Sequence, residues 1–572
     1  MSINMKSTLN FVSLAIAYSL SGFVFAAEAS KSNINVDTVV QLGGATNAAI
    51  NKQSLKAGSV TGGGASNVKA GAVVQIGGAA NGAINEQSLE LGNASGGGKS
   101  NVSSGAVIQA GGAANGAINK QTLKAGNASG GGSSNVNSGA ILQAGGAANG
   151  AANKQVTELG DASGGGKSNF SAGAVVQAGG AGVAAMNDQT MIVGKASGGG
   201  KSNVKVGTVV QAGGAGVAAM NKQSMEVGEG SGGGKSIVNA GAVVQVGGAG
   251  VAAMNDQSMK IGKASGGGSS NVNTGAVVQV GGAAVASSNK QTVELGSSAS
   301  GGKSNVNTGA VVQVGGAAVA AVNDQSIKVG NSTGGGNSNV NSGAVVQVGG
   351  AAVAASNKQT IELGSSASGG KSNVNTGAVV QVGGAAVAAV NDQSIKVGNS
   401  SGGGNSNVNS GALVQVGGAA VAASNKQTIE LGSSASGGKS NVNTGAVVQV
   451  GAAGLGSRNN QNIGVGNSSA GGKSNVNTGA LVQVGGAVFG GTNNQAINVG
   501  NATAGGQSNV STGSVVQIGS QSFGFSNTQT VNVGNSSGGK TNVRTGDIVQ
   551  TGESGFFSAV KNHNQSVNIG NN

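Results

Sequence analysis

The residues best placed to do chemistry sit in a recurring GGGKS run, as at Gly96 to Ser100 and Gly164 to Ser168, which has the look of the end of a phosphate-binding loop. Such a loop needs a further glycine five positions before its last one. The chain has Asn93 and Asp161 there, with Gly92 and Gly160 one residue early, so the run reads as a glycine turn carrying a solvated lysine. Calcium-binding glycine repeats need an Asp at a fixed offset after the glycines, and here Ser or Asn follows. Acidic residues stand beside lysines, the one histidine is His563, and there is no cysteine. The pattern assembles no acid–base pair, nucleophile or metal cluster, and we expect no enzyme and no cofactor.

What the polar residues do carry is a period. Gln41, Gln75, Gln109 and their successors recur at every 34th position as far as Gln517, with a last step of 33 to Gln550. A second glutamine stands twelve positions after each as far as Gln529, as in Gln53, Gln87, Gln121 and, beside Gln313, Gln325, and fifteen after Gln550. Loops ordinarily absorb insertions. A unit of constant length therefore has turns that must stack as well as strands, which is the mark of a repeat array.

A middle unit, Ser304 to Asn337, has strand character over Asn305 to Val314 and Val322 to Val329, with glycine bends at Gly315–Gly316 and Gly334 to Gly336. Two strands are expected per unit, three if the alanine stretch from Ala317 to Ala321 is extended. Alternation puts Val306, Thr308, Ala310, Val312 and Val314 on one face and Asn305, Asn307, Val311 and Gln313 on the other. In the second strand, Asn323, Gln325, Ile327 and Val329 oppose Asp324, Ser326 and Lys328.

The charges set the register. Asp324, Lys358 and Asp392 occupy equivalent places in successive units and alternate in sign, as do Lys328, Glu362 and Lys396. Opposite charges facing each other across a ladder contribute about 0.2 to 1 kcal/mol, and like charges destabilise it. Duplication of a pair of units explains the copying but not the choice of signs, because Lys52, Glu86 and Lys120 alternate in earlier, less similar units. Ile192 interrupts the alternation, and Lys120 beside Lys154 breaks it. Equivalent residues are thus expected to lie directly over one another, about 4.8 Å apart. The expected fold is all-β: a β-solenoid of about sixteen 34-residue coils in parallel, in-register stacking.

Composition fits stacking. Proline, which interrupts ladders and blunts sheet edges, is absent, where about 28 would be usual. The 114 glycines show no G-X-Y period, so collagen is excluded. Residues 1–29 combine Lys6, an apolar run and small residues at Ala26, Ala27 and Ala29, the pattern of a secretory signal peptide. Residues 30–449 are the regular array, and residues 450–572 diverge: the charge columns lapse, and phenylalanine gathers at Phe489, Phe523, Phe525, Phe556 and Phe557, with only Phe170 between these and the leader. Such an end is a cap or an assembly contact. The formal charge of +13 comes largely from turn lysines, Lys99, Lys167, Lys201, Lys235 and Lys303 among them, which would line one edge. That edge is either a solubility device or a surface for anionic polysaccharide or extracellular DNA. Aromatics for base stacking are missing, so specific nucleic-acid recognition is not expected.

The early units also carry the order Ser103, Gln109, Asn115, Gln121, in pieces such as QAGGAANGAINKQ and QLGGATNAAINKQ. This resembles the curlin repeat of bacterial functional amyloid. The unit here is longer, the step from Gln109 to Asn115 has one extra residue, and Val183 stands where the asparagine column had been. The resemblance implies a subunit that self-associates into fibres outside a Gram-negative cell, with outer-membrane export and nucleator proteins as partners. The expected function is that of a secreted structural protein, an amyloid-like fibre subunit of a biofilm matrix or surface attachment. The alternative is a non-polymerising solenoid adhesin or stalk.

Overall fold

The computed structural model describes residues 23–28 and 31–570, less 553–561 and up to three residues on one or both sides of a short strand in each coil, from 43–45 and 48–49 onward. Most of the leader, and Phe525, Phe556 and Phe557, lie outside the described residues. The chain divides into two compact units, Met1–Gly228 with Gly232–Ala242, and Glu229–Ser231 with Val243–Asn572. The sequence boundary at 449 falls inside the second.

Both units are β-solenoids, without helix among the described residues. In a coil of the second unit, Lys303–Thr308 and Val311–Val314 form the first face, Ala318–Val319 a short third one, and Val322–Val329 the second face; Ser332–Thr333 leads back to the next coil. Each pairs in parallel with its equivalent in the next coil, as in Gln313 with Gln347 and Gln325 with Gln359. The first unit repeats the plan with a longer, unbroken first-face strand, such as Lys99–Ala110. The alanine stretch is extended at Ala318–Val319, which gives the three strands expected in that case, and the chain adds further short extended pieces at its corners.

Turns number about 13, each of ~34 residues, slightly fewer than the sixteen coils expected. A column has one step fewer than it has rungs. The outermost coils are also incompletely packed: Ile34, Val36, Val543 and Ile548 are half-buried, whereas Val306 and Val311 are at most 1% exposed.

The first face departs from simple alternation. Ser304 and Val306 point inward, but beyond the bend at Gly309 it is Val311 and Gln313 that do so, leaving Val312 and Val314 half-buried. The expected single face from Val306 to Val314 is therefore broken in the middle. The cause is a bend in which successive coils approach too closely for a side chain: a Cβ on Gly139 would lie 2.3 Å from the carbonyl oxygen of Gly105. In the second strand alternation holds, with Gln325, Ile327 and Val329 buried and Asp324, Ser326 and Lys328 half-buried.

At the next corner Gly330 has φ of +72°, and a Cβ there would sit 2.2 Å from Val374 Cγ2, two coils on. Only glycine meets both constraints. The core between the two main faces is then a set of columns: Val306, Val311 and Gln313 from one side, Gln325, Ile327 and Val329 from the other, all nearly or fully buried. Each buried Val or Ile contributes roughly 1.5–3 kcal/mol.

Candidate functional site

Four kinds of column carry the polar chemistry. The first is the pair of glutamine ladders. In the first unit Gln75 Nε2 donates to Gln41 Oε1 at 3.0 Å and Gln109 to Gln75 at 3.0 Å. Beside them Gln87 donates to Gln53 at 3.0 Å and Gln121 to Gln87 at 2.9 Å. In the second unit Gln313 donates to Gln279 at 2.8 Å and Gln325 to Gln291 at 2.9 Å. The eight glutamines expected from the sequence to form ladders, Gln41, Gln53, Gln75, Gln87, Gln109, Gln121, Gln313 and Gln325, are at most 7% exposed. Gln325 Nε2 also donates to the Val348 carbonyl at 3.2 Å, so the ladder ties one face to the other. A buried amide needs its partners, and the identical residue one coil away supplies them.

Every glutamine ladder bond given above runs the same way, from the amide nitrogen of one coil to the oxygen of the coil before. The columns are polar along the stack. Buried serines cross-link the corners in parallel: Ser304 Oγ donates to the carbonyl of Gly262, in the coil before its own strand neighbour.

The second kind is the charged pair of columns on the outside of the second face. Asp324, Lys358 and Asp392 stack in register, as do Lys328, Glu362 and Lys396, and Lys328 Nζ lies 3.9 Å from Glu362 Oε2. The bonds are tighter in the first unit, at 3.4 Å for Lys56–Glu90 and 3.0 Å for Lys124–Glu158. Lys120 does stack on Lys154. It turns instead to Glu86, at 3.3 Å, on which Lys52 also converges at 3.4 Å. The hydrogen bond from Lys120, with Lys52 assisting, holds the Glu86 carboxyl below its ordinary range.

The third lies at the corner after the second face, and alternation arguments missed it. Asn127 N donates to Asn93 Oδ1 at 3.3 Å, Asp161 N to Asn127 Oδ1 at 3.1 Å, and Lys195 N to Asp161 Oδ1 at 3.1 Å. Here the side chain replaces a missing ladder acceptor for the backbone of the next coil. Asp161 stands in an asparagine's place, and burial pushes its carboxyl up to about 7 against the opposing hydrogen bond from Lys195. The recurrence of asparagine at Asn93 and Asn127, one repeat apart, was the signal available.

The fourth is the outward side of the first face. Lys99, Lys167, Lys201 and Lys235 in the first unit, and Lys303, Lys371, Lys439 and Lys473 in the second, are exposed. Beside them runs an asparagine ladder, in which Asn339 Nδ2 donates to Asn305 Oδ1 at 3.0 Å and Asn373 to Asn339 at 2.8 Å. A third column holds Asn307 and Asn341, joined at 3.1 Å, with Lys69, Lys205 and Arg544 at equivalent places. These three columns contain no Asp or Glu. The lysines are therefore part of a broad cationic, amide-rich face and not an isolated edge.

Among the described residues no group of His, Cys, Asp and Glu could hold a metal ion. The columns define a parallel β-solenoid with an amide-laddered core and chemically distinct outer faces. No family model matches the chain, and neither the curated proteins nor the solved structures provide a match.

Proposed function

We propose that this chain is a secreted structural protein, the subunit of an amyloid-like extracellular fibre that serves a biofilm matrix or surface attachment. One observation carries the reading: both glutamine columns are buried, unmixed and polar, so each coil offers the next an identical template, as in cross-β stacking. Each layer contributes through its nearest neighbours alone, so the same interactions serve within one chain or between chains. The absence of proline leaves the strand edges unprotected. Secretion rests on residues 1–29, and outer-membrane export and nucleator partners rest on the curlin resemblance. The test is to hold the purified chain from Ser30 at increasing concentration and follow it by sedimentation and negative-stain microscopy. Fibres with cross-β diffraction near about 4.8 Å are expected; a chain that stays monomeric throughout overturns the proposal.

A second reading, a non-polymerising adhesin or stalk, is favoured by the cationic face, whose three lysine and asparagine columns hold no Asp or Glu. Its positive charges recur every one or two coils, roughly 5–10 Å apart, whereas duplex DNA carries a charge every ~1.7 Å. A polymer with one carboxylate per sugar is the better match, and the asparagine amides would bond its hydroxyls. Salt-sensitive retention of the monomer on an acidic polysaccharide, reduced by replacing Lys303, Lys371 and Lys439 with Gln, tests it. Equal binding to a neutral polysaccharide contradicts it.

A further inference from the structure

We infer that the strand edge at Ile50–Thr61 is the docking surface for the C-terminal coil of a second copy of this chain, and that the leader strand Phe23–Glu28 occupies that edge until it is removed. The inference rests on the fibre reading above.

The leader strand lies in parallel along Ile50–Thr61, where a preceding coil would lie, but it does not follow the rule of the coils. Between the coils on this face the spacing between paired residues is 34, as in Gln53 with Gln87, and 36 at the last step, as in Gln529 with Gln565. Here Phe23 pairs with Leu55 and Phe25 with Ala57, a spacing of 32; after a break between Phe25 and Ala26, Ala26 pairs with Ser59, a spacing of 33. Residues 1–29 also contain no glutamine, so the leader has none to offer the Gln53 column. The leader strand sets Phe23 and Phe25 in register with the apolar columns at Leu55 and Ala57, but it slips by one residue after Phe25 and so does not keep the register of a coil. It is a placeholder, and the small residues Ala26, Ala27 and Ala29 that suit cleavage lie in it or next to it.

The strand Asn562–Ile569 stacks on Ser526–Val533, and its Val567 and Ile569 are 45% and 65% exposed. Gln565 Nε2 donates to Gln529 Oε1 at 2.7 Å and Gln550 Nε2 to Gln517 Oε1 at 2.9 Å. The polarity of the ladder therefore turns their oxygens toward the side on which a following coil would stack. If the strand Ile50–Thr61 of a second copy takes that place in the solenoid's own register, Gln53 meets Gln565, Leu55 meets Val567 and Ala57 meets Ile569. Lys52 and Lys56 meet Asn564 and Asn568, so no like charges oppose on the second face; on the first, Lys31 meets Lys540, as Lys167 already meets Lys201 between coils. On the first face Gln41 meets Gln550, Val39 meets Ile548 and Asn33 meets Asn542. Both amide columns and the apolar columns run on. Because each amide donates toward the preceding coil, only head-to-tail stacking satisfies the ladders.

The test compares elongation of preformed fibres of the Ser30-started chain by three proteins: that chain, the full chain with its leader retained, and the full chain carrying Val24→Pro and Phe25→Pro, which deny the leader strand its ladder hydrogen bonds. The full chain is expected to elongate at least tenfold more slowly, and the proline pair to restore the rate. Ile569→Lys in the Ser30-started chain is expected to fold, by far-ultraviolet circular dichroism, yet to elongate poorly. Equal rates for full and processed chains, no rescue by the prolines, or unimpaired Ile569→Lys would each overturn the inference while leaving the fibre reading intact. A processed chain that forms no fibres at all would remove both.

Discussion

The glutamine columns inside the coils and the charged columns outside them do the same geometric job by different means. Inside, both ladder positions hold glutamine in every repeat, because a buried amide that loses its partner costs about 1–3 kcal/mol. Outside, the column through Lys328 and Glu362 admits Ile192 and Gly464, because an exposed ion pair is worth about 0–1 kcal/mol. The inner column accepts any neighbouring coil; the outer one favours the opposite sign. Stability and templating reside in the first, discrimination of register in the second. Near the C-terminus the two merge, as the outer column turns to amides: Asn532 donates to Asn498 at 2.8 Å and Asn568 to Asn532 at 2.9 Å.

The substitution that should separate inner from outer columns most clearly is Gln381→Leu. It strips the partner from the Gln347 oxygen and from the Gln415 amide, which are bonded to it at 2.8 Å on each side, so destabilisation of about 2–4 kcal/mol is expected. Faster amide exchange in the flanking coils would report it. A smaller effect, about 1 kcal/mol or less, is expected from Lys328→Glu, which sets like charges in register with Glu294 and Glu362. It should shrink with added salt, whereas the Gln381→Leu effect should not.

Asp161 is an intermediate case at the corner, since it is a charge in an amide's place. Its folded pKa of about 7 stands above the ordinary value of 3.8, so its contribution is fully present below pH ~4 and is lost as pH rises through about 7. Asp161→Asn keeps the acceptor for Lys195 N and removes the titration. The thermal midpoint of the variant should exceed that of the parent at pH 8 and converge on it near pH 4; parallel pH profiles would contradict the assignment. The smallest effect is expected at Ala470, which holds φ of +48°: Ala470→Gly should stabilise by up to about 1 kcal/mol, read from the denaturation midpoint.

Much of this architecture is legible in the sequence, and the reason is redundancy. One coil says little about register, but Asp324, Lys358 and Asp392 in series specify it, and the second-strand faces follow from alternation because no bend interrupts Val322–Val329. The first face is not legible in that way. Nothing in the apolar pattern from Val306 to Val314 marks the change of phase at Gly309, since valine stands on both sides of the strand. The burial of Gln313 followed from that bend and not from polarity. The corner ladder through Asn93, Asn127 and Asp161 was hidden because its residues read as ordinary turn formers.

In this solenoid the glutamine amides form a dry, continuous internal column while the asparagine amides of the first face stand in water. Side-chain amide exchange, resolved by NMR on the Gln- and Asn-labelled chain, distinguishes the two environments. Glutamine amides of the two core columns should exchange orders of magnitude more slowly than those of the Asn305 and Asn339 column. Equal, rapid exchange of both sets would mean that the core columns are wet and that the ladder is not what holds the coils together.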